Sequence, residues 1–352
     1  MEIRRITDAD AGQRLDKYIR RILPDAAMSF PHKMLRKKNI TVNGKKADGS
    51  YLLRTDDEVT FFLSEETFAH LSGKAAVPPP ISGSTDDKAD GRSKASALWT
   101  RAYRELPIGR DRMIYEDSQV LILDKPAGVL SQQARSDDLS VCEWLCGYMA
   151  SQNELTAEGS ARFKPTVCNR LDRNTGGLII CAKTDAAARQ ISKVIRENTL
   201  RKEYAALVEG LLPASGEIEG YLLKDEKLNR VTFFKEPVPG AKYCKTVYCR
   251  TDAGNGRSIA RAELITGRTH QLRAHFAAIG HPIVGDRKYG DMPSGAERVH
   301  SSKITGLLPG IKSQCLTCVR ITFPEMDGAL AALSKRSFTC RIPEYYNRLL
   351  QG

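Results

Sequence analysis

The sequence predicts an α+β protein of two unequal units, a small basic one at the N-terminus and a larger one built on a mixed, largely antiparallel β-sheet. Three observations predict it. After residue 112 strand-like runs outnumber helical ones and do not alternate with them in the βαβ rhythm of a doubly wound sheet. Residues 71–96 form a tract rich in Pro, Gly and Ser, including Pro78-Pro79-Pro80, that buries too little apolar surface to order itself and reads as a flexible tether. Ahead of it, two short helical patterns run into a lysine-rich turn and small strands. With 352 residues the chain has room for two or three domains of about 150 residues each. The boundaries that follow are 1–63, a linker over 64–111, and 112–352.

From Arg14 the chain reads RLDKYIRRILP, with Leu15, Tyr18, Ile19 and Ile22 at helical spacing. Ser29 is a candidate cap for a second helix, with Pro31 in its first turn. The run ITVNGKKA then alternates as a strand with a tight turn at Asn43-Gly44. Lys and Arg number 54 against 42 Asp and Glu, a net charge of +12. Residues 31–50 hold six of the cations, Lys33, Arg36, Lys37, Lys38, Lys45 and Lys46, against Asp48 alone. A basic run by itself is most often a solvated surface. Two helices followed by a basic turn and strands gather these cations on one face, which suits a polyanion.

In the larger region, Met113–Tyr115 and Val120–Leu123 predict two strands joined by a short turn. Ser140 and Glu143 have the spacing of a capping box for a helix to about Met149. Strands follow at Gly177–Lys183, Lys202–Val208 and Ser258–Ile265. A helix follows Thr184, and another spans Thr269–Ile279, closed by Gly280. No run approaches the roughly 18 apolar residues of a membrane span. The opening MEIRRITDAD lacks the apolar core of a secretory signal, so a cytoplasmic protein is expected. Nine cysteines without framework spacing read as buried or free thiols, including the pairs Cys142/Cys146 and Cys315/Cys318.

Four stations carry chemistry. Asn169-Arg170-Leu171-Asp172-Arg173-Asn174-Thr175-Gly176-Gly177 places an aspartate between two arginines, which favours its ionised form as nucleophile or base; a loop salt bridge is the bland alternative. Gly267-Arg268-Thr269-His270-Gln271-Leu272-Arg273-Ala274-His275 puts Arg268 at the start of a helix, where its fork can meet a carboxylate or phosphate. His270, His275 and His281 lack the three- or four-residue spacing of a helical metal site, and no HExxH is present. Tyr204 follows Arg201-Lys202-Glu203 in a strand, and Asp124-Lys125-Pro126-Ala127-Gly128 reads as a tight turn.

Over residues 12–63 the order of elements resembles the S4-like (alpha-L) RNA-binding domain. Over about 112–325 the stations, taken together and in order, resemble the RluA-type pseudouridine synthases of large-subunit ribosomal RNA. The central run is similar to that family's HRLDxxTSG, and the later one to GRTHQLRxHxxxxGHPIxGDxxYG. Two positions depart, Asn169 for the usual His and Gly176 for the usual Ser. The resemblance implies isomerisation of uridine within RNA after the base is flipped from its stack, most often in 23S rRNA or a large-subunit precursor. It implies no cofactor, no metal, no membrane partner, and a monomer. It assigns Asp172 as the catalytic aspartate, paired with Arg268. Tyr204 would stack on the flipped uracil and help to remove the proton from C5, while Arg170 fills the vacated place in the stack. Lys202 and Arg273, with Lys33, Arg36, Lys37 and Lys38 of the first unit, would contact the RNA. The rivals are a catalytically silent RNA-binding or ribosome-assembly protein and a metal hydrolase built on the three histidines.

Overall fold

The computed structural model describes residues 2–8, 10–24, 26, 30–64, 67–68, 71–72, 86–155, 163–290, 311 and 313–351. The chain divides into two compact units, Met1–Ser84 and Thr85–Gly352. Ser29, the candidate cap, and residues 73–85 of the tether lie outside the described residues.

In the first unit, helices α1 (Leu15–Ile22) and α2 (Phe30–Arg36) accompany a three-stranded antiparallel sheet ordered β1 (Glu2–Arg5), β3 (Glu58–Phe61), β2 (Ile40–Val42). The apolar stripe read from Leu15, Tyr18 and Ile19 is buried, and it packs with Ile40, Val42, Val59 and Phe61 in one core. Asn43 and Gly44 both take positive φ, 51° and 70°. Val42 and Lys45 exchange both backbone hydrogen bonds across them, at 3.0 and 2.9 Å, the two-residue turn whose twist matches that of its strands. Lys33, Arg36, Lys37, Lys38, Lys45 and Lys46 are all exposed.

The second unit is organised by an 11-stranded sheet whose main path runs β10-β9-β11-β12-β8-β13-β7-β5-β4. Its strands are β4 (Met113–Glu116), β5 (Val120–Lys125), β6 (Thr166–Val167), β7 (Gly176–Ala182), β8 (Arg201–Glu209), β9 (Ser215–Asp225), β10 (Arg230–Phe234), β11 (Lys242–Gly254), β12 (Arg257–Leu264), β13 (Leu316–Thr322) and β14 (Ser337–Thr339). Among the described strands β7 and β13 form the one parallel pair, and the others are antiparallel. The sheet is thus mixed and largely antiparallel, as the irregular order of elements predicts.

β7 is buried along its whole length, so it reads as the unbroken apolar run GLIICA and not as an alternation. Leu121, Leu123, Ile179 and Cys181 face Trp144, Leu145 and Tyr148 on one side. Ile122, Leu178 and Ile180 join Ala187, Ile191 and Val194 in the larger core. Each such side chain contributes roughly 1.5–3 kcal/mol on burial. The helix Asp185–Arg196 is capped by Thr184, whose hydroxyl accepts from Ala187 N at 3.3 Å. The helix Val141–Ser151 is capped by Ser140, which accepts from Cys142 N at 3.2 Å while its hydroxyl donates to the Glu143 carboxylate. That differs from a reciprocal capping box because Glu143 lies 1% exposed and turns to Ser140 and Lys164 instead of the backbone.

The linker expectation for 64–111 needs correction. Asp86–Glu105 is a helix, α3, and Arg110–Arg112 is a 3-10 turn. The physical reason lies in Trp99, Ala102 and Tyr103, which composition averaged over the tract conceals. Ala102 is fully buried, and the Tyr103 ring packs on Trp144 and Tyr148 at 6.0 and 6.2 Å. Gly147 lets the two helices approach so closely that a Cβ there would lie 2.2 Å from the Trp99 carbonyl.

The two glycines that open β7 differ in what they require. Gly177 has φ +101°, and a Cβ on it would lie 2.2 Å from the Cys318 carbonyl of β13. A Cβ on Gly176 would find its nearest neighbour at 3.5 Å, an ordinary contact. Gly177→Ala is therefore expected to cost about 3 kcal/mol or more, a fall of roughly 6–12 °C in Tm for a unit of this size. Gly176→Ser is expected to stay within about 1 kcal/mol of wild type. Thermal denaturation of the two variants checks both; equal losses would refute the distinction.

Candidate active site

Asp172 sits on the loop that leads into β7, and the loop is tied down on both sides of it. Asn169 is buried and uses its side chain as a strand would use its backbone. Its Nδ2 donates to Leu178 O at 3.2 Å, and its Oδ1 accepts from Ile180 N at 2.6 Å. Ser131 Oγ donates to Leu171 O at 2.7 Å and accepts from Leu171 N at 3.1 Å. Beyond the aspartate, Thr175 N donates to Asp172 O at 3.0 Å, and Gln314 Nε2 donates to Thr175 Oγ1 at 2.8 Å. Lys125, fully buried at the end of β5, donates to Arg173 O at 3.2 Å, Pro126 O at 3.0 Å and Val129 O at 2.7 Å. Burial pushes the Lys125 ammonium down to about 7, against the pull of the Asp172 and Asp124 carboxylates.

With its backbone fixed, Asp172 leaves its side chain 32% exposed, and an arginine holds it. That arginine is Arg273 and not Arg268, which corrects the expected pairing. Arg273 Nη1 donates to Asp172 Oδ2 at 2.9 Å. Its Nε and Nη2 grip Asp286 at 2.7 and 2.9 Å, and its guanidinium lies over the Tyr289 ring at 5.0 Å. The helix begins at Gln271, later than the predicted Thr269, because His270 takes a left-handed φ of 51° and turns the chain. Arg268 is left outside, exposed, with its Nε on the Tyr243 carbonyl at 2.9 Å. Arg273, in the first turn of the helix, takes the inward position.

The three histidines have separate partners. His275 bonds Cys244 Sγ and Thr246 Oγ1, each at 3.0 Å, and burial pushes it down to about 4. His281 Nδ1 meets Glu209 O at 2.8 Å. His270 Nδ1 lies 2.9 Å from Tyr289 Oη, which already accepts Val231 N–H at 2.9 Å. The tyrosine hydroxyl has a proton to give, so it can donate to His270 Nδ1 and leave the ring proton on Nε2. That nitrogen faces Asp172 Oδ2 at 3.7 Å. Burial lowers the His270 pKa, which favours the neutral ring beside the carboxylate.

Tyr204 is on β8, where it pairs across the sheet with Ala262 and Cys318. Burial pushes its phenol well above the ordinary value, and the Cys318 sulfur and the Asp172 carboxylate add to the shift. A neutral phenol can stack and donate but does not accept a proton readily. Lys202 is half-buried, and burial lowers its pKa. Arg170 and Arg173 are exposed on either side of Asp172. The site thus gathers Asp172, Arg273 and Tyr204 and leaves Arg268 aside. Sequence reasoning missed three members. Lys125 was visible as a lysine ending the apolar run VLIL, and Asp286 and Tyr289 stood unassigned in GDRKYG.

Such a site presents an anchored carboxylate in an open, cation-rimmed cleft. The sequence model of the RNA pseudouridylate synthase family matches residues 119–278. The ribosomal large subunit pseudouridine synthase C of Escherichia coli O157:H7 is 30% identical over 349 residues, 94% of this chain and 95% of that protein. An uncharacterized RNA pseudouridine synthase of Mycoplasma pneumoniae is 28% identical over 349 residues, 96% of this chain and 94% of the relative. The solved structure of human RNA pseudouridylate synthase domain containing 4 shares the fold, with a TM-score of 0.52 at 21% identity over 75% of this chain and 97% of that one. These likenesses define an isomerase that acts on RNA. The chain belongs to the RNA pseudouridine synthase family.

Arg273→Gln is expected to cost about 3–5 kcal/mol, because it strands Asp286, whose side chain is fully buried, without its cation. Arg268→Ala removes one exposed hydrogen bond and is expected to cost no more than about 1 kcal/mol. Denaturant titration compares them; a larger loss for Arg268 would restore it as the structural partner.

Proposed function

We propose that this enzyme converts specific uridines of large-subunit ribosomal RNA, 23S rRNA, to pseudouridine, acting through Asp172 as a monomer in the cytoplasm. The observation that carries the reading is the Asp172 carboxylate, one-third exposed, held at 2.9 Å by the buried Arg273. The name of the Escherichia coli relative, a ribosomal large subunit enzyme aligned over nearly its whole length, supports the choice of RNA.

In the reaction the N1–C1′ bond of uridine breaks, the base turns, and C5 bonds to C1′. The proton leaves C5 and N1 gains one, so nothing is oxidised and no group is donated. The target must leave its stack to reach the carboxylate, and Arg170, exposed beside Asp172, fills the place it vacates. Asp172 serves as the ionised carboxylate, whether it attacks the nucleoside or removes a ribose proton. Arg273 aims it. Tyr204, neutral and packed behind the site, stacks on the uracil, worth about 1–3 kcal/mol for such a contact. Lys202 lines the same side of the sheet. A silent RNA-binding protein needs only a basic surface and gives no reason for an aspartate tied down in this manner.

Asp172→Asn is expected to abolish pseudouridine formation while the fold and RNA binding persist, since the amide keeps the shape and loses the charge. Residual turnover within about tenfold of wild type, only about 1.4 kcal/mol of barrier, would move the chemistry to another residue.

The first unit is proposed to act as an S4-like RNA anchor, supported by the exposure of its six cations. Replacing Lys33, Arg36, Lys37 and Lys38 with Ala in the full chain is expected to weaken binding to a long ribosomal RNA fragment. The slope of log affinity against log salt should flatten by roughly 0.7–0.9 for each phosphate that the variant no longer neutralises. Titrations at several salt concentrations decide it, and an unchanged slope would refute the anchor.

A further inference from the structure

We propose that a cleft beside Asp172 binds one backbone phosphodiester of the RNA strand, clamped by Arg287 and Lys288, next to the nucleotide being isomerised. The proposal rests on the reading of Asp172 as the reacting carboxylate of an RNA enzyme, and it needs no particular RNA sequence.

The cleft has a volume of about 200 Å³, and its walls include Asn174, Arg273, Arg287, Lys288, Ser313 and Gln314. Among the described residues, no carboxylate and no aromatic ring lines it. A base would find nothing to stack on there, whereas an anion finds cations and neutral donors. The nearby acids do not cancel the charge. Asp286 has its side chain fully buried, spends both oxygens on Arg273, and accepts from Lys288 N at 2.9 Å and Tyr289 N at 3.2 Å. Asp172 is held by the remaining arm of the same guanidinium.

Arg273 commits three of its five N–H donors to these two carboxylates, while its neighbours across the cleft are freer. Arg287 is exposed and has no hydrogen-bond or ion-pair partner among the described residues. Among the described residues Lys288 uses its ammonium once, on Asn229 O at 2.7 Å. An ammonium has three donors, so two remain for a ligand. The turn that carries both is fixed by the Asp286 contacts and by Gly285, whose φ is +75° and where an added Cβ would lie 2.6 Å from Ser313 O. With the turn already fixed, only the two side chains remain to be ordered on binding.

Arg273 touches Asp172 and also lines the cleft, and Asn174 stands two residues beyond Asp172. A phosphate in the cleft therefore lies close to the nucleotide at the carboxylate. Extruding a base costs a few kcal/mol, and a grip on the adjoining backbone offsets part of that cost without reading sequence.

The test uses the full-length enzyme and a ribosomal RNA stem-loop, with single neutral methylphosphonate linkages placed in turn around the target uridine. KM and the Kd of binding are measured at several salt concentrations. With wild type, one linkage beside the target should raise both by about tenfold, the worth of one charge-assisted hydrogen bond. With Arg287→Gln, both should rise by that factor on unmodified RNA, and the same linkage should then add less than about twofold. The salt slope should fall by about 0.7, one single-strand phosphate. Arg287→Lys should retain most of the slope. An equal penalty from every linkage in wild type and in Arg287→Gln overturns the clamp. Because Kd reports the clamp without turnover, a chain that binds with this coupling but makes no pseudouridine refutes the proposed function alone.

Discussion

A guanidinium taken out of water is tolerable only when its donors are matched by fixed acceptors. Arg273 meets that condition with two carboxylates and an aromatic face, and three separate segments are bound together as a result. The loop at Asp172, the helix from Gln271 and the turn at Asp286–Tyr289 all close on one side chain that is 9% exposed. Tyr289 extends the arrangement, since its ring lies under Arg273 while its hydroxyl bonds the His270 ring. A buried ion pair contributes little net stability compared with apolar packing. Its value here is geometric, because it fixes the direction of a carboxylate that is left one-third exposed.

The departures from the family's loop pattern find local explanations. Asn169, standing where the resemblance has histidine, supplies a donor and an acceptor to the two β7 backbone groups it faces. Gly176, standing where the resemblance has serine, has ordinary room above its Cα, so nothing in the surrounding backbone demands or forbids a side chain there. The ties that position Asp172 come instead from Lys125, Ser131 and Gln314, three residues remote from it in sequence.

Local pattern made much of this legible. The 3.6-residue stripe at Leu15, Tyr18 and Ile19, the Asn43-Gly44 turn, the Thr184 cap and the unbroken apolar run of β7 each stem from forces acting within a few residues. The Asp172 loop was legible as a motif, through resemblance. Pairings across about a hundred residues were not. Which of two arginines five residues apart meets Asp172 depends on a left-handed residue, His270, that no propensity marks. Trp99 and Tyr103 were hidden for another reason: a window wide enough to reveal the proline-rich tract averages away the three residues that anchor the helix after it.

The order of the sheet has a consequence for how the enzyme is made. β7 and β8 follow each other in the chain, with one helix between them, yet β13 lies between them in the sheet. Neighbouring strands are spaced at about 4.8 Å, so the inserted strand doubles the distance between the strand that follows Asp172 and the strand that carries Tyr204. That spacer is residues 316–322, close to the end of the chain. A polypeptide still emerging from the ribosome therefore carries Asp172, Tyr204 and Arg273 before it carries the strand that sets the spacing between β7 and β8.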